Sequence, residues 1–231
     1  MKGALLFDID GTLLRARGMG TNAFQESFLE ILGHSIDMQH VNWQGATDGE
    51  VIQALLRKHG YTDLEIELIR PRLFATYADF FHRNMLANPA QIEVIEGARE
   101  LLDLVANQAL GILSGNIQAT AQSKLEGARL DDFFPGGIGG FGCDHDIREE
   151  LYPIALKRLR EHYKADFDFA VIIGDSLRDI AVAQAHSIPV LALATGHTPY
   201  QELEAAGPDL LFANYRDLPL VHGALLTLLD Q

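Results

Sequence analysis

Short, unbroken apolar runs recur along the chain, separated by longer stretches in which apolar residues return every three or four positions. The runs are GALLF at 3–7, ALGIL at 109–113, FAVII at 169–173, PVLAL at 189–193 and, more weakly patterned, LLF at 210–212. Runs of this length without polar alternation are the pattern of strands covered on both faces of a sheet. Helical spacing marks residues 97–107, 117–126, 149–163, 178–186 and 200–206. Strand alternating with helix predicts a doubly wound, parallel α/β sheet.

Residues 16–90 follow a different pattern. TNAFQESFLEILG, DGEVIQALLRKHG and LEIELIRPRLFATYADFFHRNML are each amphipathic at helical spacing, and no strand pattern separates them. The first two end at Gly33 and Gly60, as helix C-termini commonly do. The expectation is an all-helical domain over 16–90, inserted into an α/β core formed by 1–15 and 91–231. The connections at 14–20 (LRARGMG) and 86–92 (LANPAQI), with Gly18, Gly20 and Pro89, suit hinges. GGIGGFG at 136–142 is a glycine-dense loop, but it lacks the trailing Lys-Ser/Thr of a nucleotide P-loop.

A chain of 231 residues accommodates one core with an inserted lobe. The formal net charge of −14, with no Lys/Arg cluster, argues against nucleic acid as a partner. It also repels anions at long range, so a phosphorylated substrate would need positive charge concentrated at its site. The single cysteine, Cys143, excludes an internal disulfide and a multi-cysteine zinc site. No apolar run approaches the ~18 residues of a membrane span, and Asp8 interrupts the N-terminal run too early for a secretion signal. A soluble, cytoplasmic protein with no membrane partner is expected; nothing in the pattern specifies an oligomeric state.

The candidate chemistry lies at the ends of the predicted strands. In an open α/β sheet, ligands sit beyond the carboxyl ends of the strands. Asp8 and Asp10 follow the first strand, Ser114-Gly115-Asn116 the second, and Gly174-Asp175-Ser176 the one at 169–173, with Asp179 a helical turn further on. One aspartate after a strand is often only a turn former or a helix cap. Four carboxylates and a hydroxyl at one edge of a sheet are costly to desolvate, and a bound cation would offset that cost.

With these residues in place, the chain resembles the haloacid dehalogenase-like hydrolase superfamily, on its phosphatase side. Asp8-Ile9-Asp10-Gly11-Thr12 is similar to the family's first motif, DxDGT. Ser114 after an apolar strand is similar to the second, and Gly174-Asp175-Ser176-Leu177-Arg178-Asp179 to the fourth, GDxxxD. The order and spacing fit along essentially the whole chain. The tail LALATGHTPYQELEAAGPDLLFANYRDL resembles phosphoglycolate-phosphatase-like members, and a helical insert between the first two motifs is the cap placement of that branch. The resemblance implies a Rossmann-like core with a helical cap and a Mg²⁺-dependent phosphatase acting on a small phosphorylated metabolite.

By the same resemblance, Asp8 is the nucleophile that forms an aspartyl-phosphate, and Asp10 the general acid and then base. Asp8, the Asp10 main-chain carbonyl and Asp175 are the implied Mg²⁺ ligands, with Asp179 in or near that shell. Ser114 and the Gly115 and Asn116 backbone N–H groups are the implied phosphate binders. The third motif calls for a Lys or Arg. The Lys-Pro common in the branch is missing, which leaves Arg148 and Lys157. Arg148 stands 26 residues before Gly174, at a predicted helix start, and is preferred over mid-helix Lys157, 17 residues before it. In the cap, the loop from Trp43 to Asp48 is expected over the active site. Gly45, Thr47 and Asp48 are the specificity candidates, although Thr47 or Asp48 could equally cap the following helix. His40 and Trp43 are expected to be structural or surface residues. Two other functions share these features: a sugar phosphomutase, which returns the phosphoryl group to its substrate, and a non-catalytic phosphate-binding module.

Overall fold

The computed structural model describes residues 3–39 and 45–229. In chain order the elements are β1 (Gly3–Phe7), β2 (Leu14–Ala16), α1 (Met19–Leu32), α2 (Asp48–Lys58), α3 (Asp63–Ala87), β3 (Ile92–Val94), α4 (Ala98–Leu104), β4 (Leu110–Ser114), α5 (Gln118–Ala128), β5 (Gly139–Phe141), α6 (Leu151–Tyr163), β6 (Phe169–Gly174), α7 (Leu177–His186), β7 (Val190–Leu193), α8 (Tyr200–Ala205), β8 (Leu210–Phe212) and α9 (Leu218–Leu229). A 3-10 turn, Arg148–Glu150, leads into α6.

Six strands form one parallel sheet in the order β5-β4-β1-β6-β7-β8. The alternation of side chains along β1 explains its unbroken apolar sequence, because both faces are covered. Leu5 and Phe7 pack with Leu101 of α4, Leu125 of α5 and Leu225 of α9. Ala4 and Leu6 pack on the other face with Leu159 of α6 and Ile180 of α7. The expected doubly wound architecture is thus present.

Two elements depart from the sequence pattern. The glycine-dense segment contains an edge strand, β5, and is not simply a loop. A Cβ at Gly139 would overlap the Ile112 carbonyl, and one at Gly140 the Leu151 carbonyl. Close backbone approach, not side-chain propensity, therefore selects these residues. The leucine-rich α9 carried no assignment, yet Val221, Leu225 and Leu228 close one face of the core.

The segment between β2 and β3 is helical where described and has its own apolar cluster. Phe24 and Phe28 of α1 pack there with Ile52 and Leu55 of α2 and with Tyr77 and Phe81 of α3. The Phe24 and Tyr77 rings stack with centroids 3.8 Å apart. Gly33 takes φ 75° and ends α1 in the left-handed conformation that favours glycine. The expected hinges are more ordered than plain loops: β2 and β3 pair antiparallel, with Leu14 opposite Val94 and Ala16 opposite Ile92. His40, Trp43 and Gln44, which the sequence places before and within the cap loop, lie outside the described residues. No helix among the described residues is long and apolar enough to cross a membrane.

Candidate active site

The sheet order explains why the sequence motifs converge. β1 lies between β4 and β6, so the residues leaving these three strands share one edge. Asp8 follows β1, and its backbone N–H bonds the Ile173 carbonyl of β6 at 2.9 Å. Ser114 ends β4, and Asp175 follows β6. Asp8, Ser114, Asp175 and Asp179 are all buried, whereas Asp10 is about half exposed, its side chain 44% accessible. Asp8, Asp10, Ser114, Asp175, Arg148 and Lys124 all line a cavity of about 480 Å³ beneath the cap, with Asp179 buried behind Arg148. A larger groove, about 900 Å³, runs between α3 and the 131–137 segment, but none of these aspartates lines it.

Of the two basic candidates, Arg148 lies among these residues. Its side chain is 2% exposed, and Nη2 lies 3.0 Å from Asp8 Oδ1 and 2.6 Å from Asp179 Oδ1. Nη1 donates to the Gly45 carbonyl of the cap at 3.0 Å. The buried Nε–H has no acceptor among the described residues. Lys157 lies on the open face of α6, 76% exposed and 3.9 Å from Glu161. It does not reach the site.

The carboxylates form one group that could hold a metal: ligand oxygens of Asp8, Asp175 and Asp179 all lie within 4.8 Å of one another. Burial, opposed by Arg148 and reinforced by Asp179 and Asp10, raises the Asp8 carboxyl from the ordinary range to about 7. Burial and the adjacent Asp8 and Asp179 push Asp175 well above that range. Such groups are short of positive charge. An all-oxygen, buried, anionic donor set fits a hard divalent cation such as Mg²⁺. Thr12 donates to Asp175 Oδ1 at 3.0 Å and fixes that carboxylate. Asp179 is more committed than the sequence implied: Oδ1 accepts from Arg148, and Oδ2 accepts from Ser176 N at 3.0 Å and Oγ at 2.6 Å. It caps α7 and anchors Arg148, so both of its oxygens are already engaged.

Asn116 contributes a side chain rather than only its backbone. Its Nδ2 donates to Asp10 Oδ2 at 2.7 Å and to Ser114 Oγ at 2.8 Å. The Ser114 oxygen is thereby occupied as an acceptor, and its own O–H remains a donor. Lys124, which sequence reasoning missed, is 5% exposed, with Nζ 2.6 Å from Asp10 Oδ2 and 2.6 Å from Asn116 Oδ1. The available signal was its helical register. Thr120, Ala121, Ser123, Lys124, Leu125 and Ala128 are the buried residues of α5, and a lysine among them needs an anionic partner.

The cap loop bears on the same edge. Asp48 N–H donates to the Gly115 carbonyl at 2.7 Å, and Asp48 Oδ2 accepts from Ile117 N–H at 2.8 Å. A carboxylate from the cap therefore caps the start of α5 at Ile117, one residue beyond the Gly115 and Asn116 N–H groups named as phosphate binders. Burial raises the Asp48 carboxyl to about 7, against the opposing pull of Lys124 and the Ile117 bond. Gly45 and Asp48 line the cavity. Thr47 does not: it is fully buried, donates to the Asp146 carbonyl at 2.8 Å and caps α2 through Glu50 N–H. Thr47 thus takes the helix-cap role that the sequence also allowed.

A family model described as haloacid dehalogenase-like hydrolase matches residues 5–193. A phosphoglycolate phosphatase from Rhodospirillum rubrum is 26% identical over 204 residues, covering 86% of this chain and 82% of that protein. A phosphoglycolate phosphatase from Colwellia psychrerythraea is 24% identical over 220 residues, covering 94% and 95%. Among solved structures, a hydrolase from Pseudomonas syringae superposes with a TM-score of 0.66 at 24% identity, covering 99% of this chain and 98% of that one.

Proposed function

The chain belongs to the haloacid dehalogenase-like hydrolase family, and from that premise we propose that it is a Mg²⁺-dependent phosphatase that cleaves a small phosphomonoester through a phosphorylated Asp8. The observation that carries this reading is the Asp8–Arg148 pair, a buried carboxylate beside a fixed guanidinium with a spare donor, 3.0 Å apart at the base of a cavity. The relatives named as phosphoglycolate phosphatases support a small, anionic phosphate ester as substrate.

Asp8 attacks phosphorus through a carboxylate oxygen. Arg148 holds it in place and directs its free Nε–H toward a phosphoryl oxygen, while Ser114 donates its O–H to another. Asp10 gives a proton to the leaving alcohol. It then takes one from the water that hydrolyses the aspartyl-phosphate, so no net proton is lost from the site. Asp8, Asp175 and the Asp10 carbonyl would hold the Mg²⁺, with Asp179 and Thr12 fixing Arg148 and Asp175 behind them. When bound, the cation offsets repulsion between Asp8 and an incoming phosphate dianion. The cap loop, bonded to Gly115 and Arg148, excludes bulk water from the acyl phosphate.

The test is phosphate release from a panel of small phosphomonoesters, phosphoglycolate among them, with Mg²⁺ and with EDTA. Metal-dependent release supports the reading. Interconversion of sugar phosphates without release would replace it with the mutase, and binding without turnover with the binding module.

A further inference from the structure

We infer that Lys124 is a positioning residue for proton transfer: with Asn116 it pins one oxygen of Asp10, so that only the other exchanges protons with the leaving group and water. This inference rests on the phosphatase reading of the site. The three side chains form a closed ring. Lys124 Nζ donates to Asp10 Oδ2 and to Asn116 Oδ1, both at 2.6 Å, and Asn116 Nδ2 donates to the same Asp10 oxygen at 2.7 Å. The lysine fixes the orientation of the amide, because Asn116 can accept from Lys124 and donate to Asp10 in only one of its two flips. That amide also donates to Ser114 Oγ at 2.8 Å, so the ring ties the acid–base residue to the phosphate-binding hydroxyl.

Asp10 needs such a device. Its side chain is 44% exposed, and β1 has already ended, so packing alone does not hold it. Two donors on Oδ2 remove the rotational freedom of the carboxylate, and Oδ1 carries no hydrogen bond among the described residues. Lys124 is held in turn by α5 and lies 5.5 Å from the ring centroid of Phe81 on α3, a cap helix. The charge therefore sits under the cap, unable to swing into solvent as a surface lysine would.

The step that depends on Asp10 separates this role from a structural one. Displacement of an alkoxide needs a proton on the departing oxygen as the P–O bond breaks. Displacement of a nitrophenolate does not, because that anion leaves without protonation. In Lys124→Met, phosphorylation of Asp8 by an alkyl phosphate, followed in a single turnover with Mg²⁺, should slow ~100-fold. The burst of nitrophenolate from dinitrophenyl phosphate should change less than ~5-fold, with KM nearly unaltered. An equal loss for both esters, or no loss for either, overturns the assignment. Lys124→Gln, which removes the charge but keeps much of the side-chain volume, gives the same comparison if Lys124→Met fails to fold. Wild type and Asp8→Asn serve as reference. A wild type with no Asp8-dependent burst would refute the phosphoenzyme reading itself, whereas a normal wild-type burst with parallel losses in the variants would refute only the role of Lys124.

Discussion

Arg148 reaches Asp8 across 140 residues of sequence to place Nη2 3.0 Å from Oδ1, with both side chains almost fully out of solvent. The same nitrogen lies 2.6 Å from Asp179. One guanidinium thus organises the two aspartates that follow β1 and β6, while its Nη1 holds the cap at Gly45. Arg148→Ala should lower kcat/KM by at least ~100-fold. It should also destabilise the metal-free protein, because Asp8 and Asp179 lose their shared counter-charge. Lys157→Ala, on an open helix face, should stay within about twofold in activity. Steady-state kinetics and thermal melts of the two variants check both; the reverse ranking would remove Arg148 from the site.

Metal uptake should release a proton. Burial holds the Asp8 carboxyl at about 7 in the metal-free protein, and only the ionised form ligates a cation. Below about pH 7 the apparent Mg²⁺ affinity should therefore fall by about tenfold or more per pH unit, because Asp175, raised as well, must also ionise. Calorimetry in buffers of different ionisation enthalpy measures the proton count directly. A pH-independent affinity between about pH 5 and 7 would contradict the burial of Asp8 as described.

Asp48 gives a prediction about stability. Its folded value, about 7, lies above the ordinary 3.8, so the folded protein keeps a proton that the unfolded chain has released. The contribution is fully present below the unfolded value and is lost as pH rises toward about 7. Asp48→Asn keeps an acceptor for Ile117 N–H but does not ionise. Its melting temperature relative to wild type should therefore become steadily more favourable from about pH 4 to 7 and level off above that. A difference that does not change with pH would show that Asp48 is not desolvated under the cap.

These residues show where sequence patterns reach and where they stop. Asp8, Asp10, Ser114, Asp175 and the parallel core were legible because each functional group directly follows an apolar run, and a parallel sheet aligns the carboxyl ends of its strands. Arg148 was legible only as one of two candidates, since its value depends on a turn before α6 that spacing alone barely defines. Lys124 was hidden because a lysine in a helix usually marks a solvated face, and only packing of α5 beneath α3 buries it. The Asp48–Ile117 bond joins residues 69 apart and carries no local signal. Strand β5 was obscured by glycines that close backbone approach demands.

Gly196 should prove as sensitive as a ligand. A Cβ at this position would overlap Asp175 Oδ2, and backbone and ligand cannot both stay in place. Gly196→Ala should weaken Mg²⁺ binding by ~10-fold or more while leaving the fold intact, as displaced ligand orientation does elsewhere. Titration of the metal into the folded variant checks this; unchanged affinity would place the cation away from Asp175.

The central claim is that Asp8 carries the phosphoryl group during turnover. Rapid acid quench of the Mg²⁺-loaded protein with a phosphomonoester, followed by mass analysis of its peptides, tests this most directly. The account predicts one added phosphoryl group on the peptide containing Asp8, formed and consumed at rates compatible with turnover and missing from Asp8→Asn. Full turnover with no phosphorylated peptide at any time, or turnover retained by Asp8→Asn, would contradict it.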